Sequence, residues 1–150
     1  MSPDGQTLIF DLLGDLYLLD IAGGAARSLT SGLAWDIQPR FSPDGKQVVF
    51  ISDRAGGDNV WVMTLATGAL KQITKESFRL LNSPVWHPNG QFIAAKKHFT
   101  TSRSLGTGEI WLYDATLPAP SDGVELVARP NKNYQKELGE PAFSADGETL

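Results

Sequence analysis

Apolar and polar positions along the chain alternate in short runs separated by glycine-centred turns. "TLIFDLL", "QVVFIS" and "QFIAAK" are apolar runs that each follow such a turn. Each is followed by an alternating run led by an acidic or amide residue: "DLYLLD" from Asp15, "NVWVMTL" from Asn59 and "EIWLYD" from Glu109. Runs this short with a period of two predict strands, not helices. In the middle one Val60, Val62 and Thr64 fall on one face, and Trp61, Met63 and Leu65 on the other. Both faces are largely apolar, so such a sheet needs a neighbour on each side. A brief closing run follows in every case, "ARSLT", "LKQIT" and "VELVA", and reads as an edge strand.

The turn ahead of each apolar run is nearly the same four letters: "SPDG" at 2–5 and 42–45, "HPNG" at 87–90 and "SADG" at 144–147. Pro presets φ for the second position of a type I turn, Asp or Asn tolerates the third, and Gly takes the left-handed conformation that closes the hairpin. Asp4, Gly5, Asp44, Gly45, Asn89, Gly90, Asp146 and Gly147 are therefore structural residues, and His87 stands in the capping position of its turn. Pro-x-aromatic precedes the three later turns, as Pro39-Arg40-Phe41, Pro84-Val85-Trp86 and Pro141-Ala142-Phe143. The turn glycines lie 40, 45 and 57 residues apart, a spacing suited to propeller blades of four strands.

The fold expected is all-β: a propeller fragment of about three four-stranded antiparallel blades, incomplete at both ends. Blade 1 spans about 1–30 and lacks its innermost strand; blade 2 spans about 37–74 and blade 3 about 83–128. A fourth begins at about 140–150. An open arc exposes apolar faces, so either further blades or a second copy joined head to tail is expected to close it.

These repeats resemble the propeller repeat of the TolB translocation protein, shared with prolyl oligopeptidase-like and tricorn-type proteases. The stretch "PRFSPDGKQVVFISDRAGGDNVWVMTLATGALKQIT" carries that resemblance, which extends over essentially the whole chain. The third unit, "FRLLNSPVWHPNGQFIAAKKHFTTSRSLGTGEIWLYD", resembles the propeller that precedes the metal-dependent domain of bacterial amidohydrolases. The resemblance implies a periplasmic or secreted protein.

Composition narrows the chemistry. Net charge is −4 with scattered basic residues, which disfavours nucleic acid as a partner. There is no cysteine, so no disulfide or thiolate metal site forms, and no apolar run is long enough to span a bilayer. Only His87 and His98 are present, too few for a His-based zinc site. Asp53 and Asp58 bracket "RAGG" without the spacing of a calcium loop. Neither Gly-x-Ser-x-Gly nor a dinucleotide fingerprint occurs. No cofactor and no catalytic residue is expected in this segment; a zinc ion belongs, if anywhere, to a downstream domain.

Strand reversal sorts the loops onto two rims. One carries the short glycine turns, the other the longer connections. Candidate contact residues on the second are Trp35, Arg54, Phe78, Arg79, His98, Phe99, Arg103 and Tyr134, since aromatics and arginines anchor binding surfaces. Trp35 and Phe78 have the alternative role of plugging gaps between blades. Lys96, Lys97, His98 and Arg103 read either as a solvated hairpin tip or as a basic docking element for an acidic partner. Three functions remain open: a scaffold that gates or docks the catalytic domain of an amidohydrolase-type hydrolase, a TolB-like interaction module of the cell envelope, or the propeller of a prolyl oligopeptidase-like or tricorn-type peptidase. The partners expected are the remaining blades with a downstream catalytic domain, or an envelope protein.

Overall fold

A computed structural model of the chain describes residues 1–78, 80–98, 108–118, 120–127 and 138–150. Among these residues eleven strands form three antiparallel sheets. The first sheet contains β1 (Thr7–Leu12), β2 (Asp15–Asp20) and β3 (Arg27–Ser28). The second contains β4 (Asp36–Phe41), β5 (Gln47–Ser52), β6 (Asn59–Thr64) and β7 (Ala69–Gln72). The third contains β8 (Leu81–Trp86), β9 (Phe92–His98), β10 (Gly108–Asp114) and β11 (Val124–Val127). Strands run in sequence order within each sheet, which is the meander of a propeller blade.

Two apolar cores separate the three sheets. Leu16 and Ile9 of the first meet Val48, Phe50, Met63 and Trp61 of the second. On the other side of the second sheet, Val49, Ile51, Val60 and Val62 meet Leu81, Trp86, Ile93 and Tyr113 of the third. Alternation along β5 and β6 thus feeds both cores from the same strands, as the two apolar faces of "NVWVMTL" require. β4 and β8 are each bulged at their x-Pro step, between Ile37 and Arg40 and between Asn82 and Val85. There Gln38 and Ser83 take positive φ, 56° and 50°.

Each tetrapeptide turn is closed in the same way. The glycine N–H donates to the carbonyl of the first residue at 2.9 Å, and Gly5, Gly45, Gly90 and Gly147 have φ of 73°, 71°, 74° and 78°. In the three Ser turns the hydroxyl donates to the Asp carboxylate at 2.6–2.7 Å. The same carboxylate accepts the N–H two residues on, at 3.0 Å. These bonds, the hydroxyl first, hold the carboxyls of Asp4, Asp44 and Asp146 below their ordinary value. In the remaining turn His87 replaces the Ser. Its Nδ1 accepts the Asn89 N–H at 3.1 Å, which leaves the ring proton on Nε2, 3.2 Å from the Gly147 carbonyl.

Two measurements test the turns. Gly45→Val places a branched residue at positive φ and is expected to lower stability by about 1–2 kcal/mol in urea melts. Because the turn carboxyls are depressed, they add stability that is complete above the ordinary carboxylate range. It is lost as pH falls through their folded values. Ser42→Ala is therefore expected to lower the melting midpoint at neutral pH, with the deficit narrowing as Asp44 becomes protonated in acid.

Candidate functional site

The β1–β2 and β5–β6 connections, with those leading from the first sheet to the second and from the second to the third, lie together on the rim opposite the tetrapeptide turns. Trp35 and Phe78 sit there in the two sheet-to-sheet connections, 52% and 73% exposed. Neither is sealed within a core. Each has an apolar companion two residues away, Leu33 at 104% and Leu80 at 44% exposure. Leu33 and Trp35 precede β4 by the same distances as Phe78 and Leu80 precede β8, so the two pairs occupy equivalent places in successive units. Leu33 and Leu80 were not evident as candidates, because a lone leucine in a loop carries no signal until the repeat register is known.

Trp35 is held firmly despite its exposure. Its ring lies on Gly14, where a Cβ would come within 2.6 Å of the indole. Its backbone N–H donates to Asp53 Oδ1 at 2.8 Å, and the next residue, Asp36, donates its N–H to the Gly14 carbonyl at 2.8 Å. Leu12 and Leu13, beside Gly14, are 55% and 85% exposed, and Leu13 has φ of 54°.

Arg54 turns inward. Its Nη2 donates to both carboxylate oxygens of Asp36 at 2.6–2.7 Å, and its Nε donates to Ser52 Oγ at 2.9 Å. The guanidinium also lies 5.5 Å from the Phe50 ring centre and 5.3 Å from that of Trp61. With Asp36 buried, the pair fixes the start of β4 and leaves little of the arginine for a partner.

His98 ends β9, where its Nε2 accepts from the Asn82 amide at 2.6 Å. Lys96 and Lys97 belong to neither a solvated tip nor a docking loop: both lie within β9 and are 5% exposed. Lys96 Nζ donates to the Leu138 carbonyl at 2.6 Å. Lys97 pairs with Glu76 and lies 4.0 Å from the Trp111 ring centre. Alternation places the two ammonium groups on opposite faces, and each has a polar partner in a connecting segment, Glu76 ahead of β8 and Leu138 after β11. Arg79, Phe99, Arg103 and Tyr134 lie outside the described residues.

Two clefts flank the third sheet. One, of about 380 Å³, is lined by Gln38, Asn82, Ser83, Lys96, Gly139 and Glu140. The other, of about 420 Å³, is lined by Lys75, Glu76, Lys97, Trp111, Ser121 and Asp122. Both are polar. Among the described residues no group of three His, Cys, Asp or Glu is placed to hold a metal ion, and no helix is long and apolar enough to cross a membrane. In the β5–β6 connection Asp58 has its carboxyl raised, mainly by burial and further by the charge of Asp53.

Comparison with known proteins agrees with this geometry. The model of the TolB beta propeller domain matches residues 1–113. The Tol-Pal system protein TolB of Helicobacter hepaticus is 28% identical across the whole chain, which corresponds to 35% of that protein. The uncharacterized peptidase YuxL of Bacillus subtilis is 24% identical over 91% of the chain and 24% of its own length. The chain thus spans about a third or less of these relatives. In solved structures, TolB from Acinetobacter baumannii superposes with a TM-score of 0.68 at 24% identity, covering 99% of this chain and 35% of that one. Puromycin hydrolase superposes with a TM-score of 0.63 at 20% identity, covering 85% and 21%. These superpositions carry the fold alone. With repeat register, sheet order and family match in agreement, the chain belongs to the TolB β-propeller domain family.

Proposed function

We propose that this propeller segment serves as a docking and gating scaffold, joined through its loop rim to the catalytic domain of a larger hydrolase of amidohydrolase type. One observation carries the reading. The same two positions ahead of β4 and β8 hold large apolar side chains that stand in solvent on one rim. Apolar side chains repeated in this way favour a protein surface as their cover. A ring docked on an active site acts sterically, admitting substrates by size and stiffening the assembly. Any zinc in such a protein would belong to the catalytic domain. A protein of this kind is exported, to the periplasm or beyond.

A second reading has its own support: the similarity to TolB runs the full length of the chain, and favours an envelope interaction module. The similarity to a peptidase favours a third, the propeller of a prolyl oligopeptidase-like or tricorn-type peptidase. The coding sequence beyond residue 150 separates them. A His-x-His motif supports the amidohydrolase, Gly-x-Ser-x-Gly the peptidase, and a stop soon after ring closure the interaction module.

The rim itself is tested in the full-length protein by Phe78→Asp. The expected outcome is an unchanged propeller melting transition, together with faster proteolytic cleavage between the domains and greater turnover of bulky substrates. Unaltered cleavage and unaltered size selectivity would remove the rim from the interface.

A further inference from the structure

The rim at the junction of the first and second sheets combines two properties that together specify a partner. Its projecting side chains are apolar: Leu13, Leu33 and Trp35 are exposed, and Trp35 is seated on Gly14. The charged groups around them are carboxylates. Asp53 accepts the Trp35 N–H through Oδ1 at 2.8 Å, and Asp11 accepts the Gln38 N–H through Oδ1 at 3.0 Å. Asp15 follows the glycine on which the indole rests. A backbone N–H fixes a carboxylate in place without supplying a counter-charge. Arg54, the neighbour of Asp53, is already committed to Asp36, and Arg40, exposed on β4, lines a small cleft with Ser83, Pro84 and Glu140. Lys75, exposed in the next connection, lines the cleft with Glu76 and Asp122 instead.

We propose that this rim captures a polypeptide segment in which bulky aliphatic residues alternate with Lys or Arg. The aliphatic side chains cover Trp35, Leu33 and Leu13, and the cations pair with Asp11, Asp15 and Asp53. The inference rests on the rim being a docking surface and adds the chemistry of what docks there. An anionic apolar segment would bring like charges onto the fixed carboxylates and be rejected.

Calorimetric titration of the chain with three synthetic peptides tests this: one of leucine and lysine, one with glutamate in place of every lysine, and one with serine in place of every leucine. The leucine–lysine peptide is expected to bind at least about tenfold more tightly than either of the others, and to weaken as salt is raised. Asp53→Asn keeps the bond to the Trp35 N–H while removing the charge. It is expected to weaken binding about threefold or more and to flatten the salt dependence. Leu33→Ser alters a side chain standing fully in solvent, so it tests the apolar contact without endangering the fold; Trp35→Ala tests it more severely. Equal binding of the lysine and glutamate peptides, lost in Leu33→Ser, overturns the basic specificity and retains the rim as a docking surface. Binding that survives both Leu33→Ser and Trp35→Ala overturns the rim as well, and absence of binding by the leucine–lysine peptide overturns the proposal.

Discussion

A sheet with two apolar faces cannot be stable in water alone, and that constraint shapes the whole chain. β5 shows it most plainly: Val48 and Phe50 enter one core, Val49 and Ile51 the other, and all four are 0–1% exposed. Full burial of side chains this size contributes on the order of 1.5–3 kcal/mol each. The second sheet is therefore held by what lies on both sides of it. The first sheet repeats the pattern. Leu8, Phe10, Tyr17 and Leu19 occupy the places of Val48, Phe50, Trp61 and Met63, and turn away from the second sheet. Phe10 and Tyr17 stack at 5.7 Å, but all four side chains are only half-buried. A face of the same chemistry makes the same demand for cover.

Packing alone would let the sheets slide, and hydrogen bonds at the inner strands set their registry. The bulge at each x-Pro step swings one backbone N–H out of its own sheet. Asp11 Oδ1 takes that of Gln38, and Gln38 Oε1 takes that of Ser83 at 2.6 Å. Each side chain thus satisfies the strained residue of the next sheet, which offsets the cost of positive φ without glycine. A comparable tie joins the middle and outer strands. Thr30 and Thr74, which end "ARSLT" and "LKQIT", accept the N–H of Leu16 and Val60 at 2.9 and 3.0 Å.

Much of this was legible because period and turn chemistry are local. The four turns, the strand order and the division of β6 between two cores follow from residues within a few positions of one another. The bulges were not legible: Pro-x-aromatic shows that the strand is interrupted but not where its N–H goes, which depends on a side chain of the previous sheet. Arg54 looked like a free anchor because its partner, Asp36, lies eighteen residues earlier. Lys96 and Lys97 looked solvated because two adjacent lysines normally are. Only the strand's continuation to His98 places them inside, with Glu76 and the Leu138 carbonyl for company. Asn59 was visible as the polar residue that leads its strand. Its role as the buried acceptor for Thr74 Oγ and the Glu76 N–H was not.

The two rims differ in what they leave unspent. On the turn rim the polar groups are consumed locally: serine hydroxyls, aspartate oxygens and glycine amides close their own hairpins. Rigid punctuation of that kind offers a partner little beyond shape. On the loop rim the strongest polar groups are also spent inside, Arg54 on Asp36, Lys97 on Glu76 and Asn59 on backbone. Among the described residues where the first and second sheets meet, what stands in solvent is a set of apolar side chains, with carboxylates held by backbone N–H groups. A fold that used its arginine and lysine to sharpen its own interior has in this way selected the chemistry of its surface. On the reading proposed above, recognition at this rim depends on shape and on cations supplied from outside.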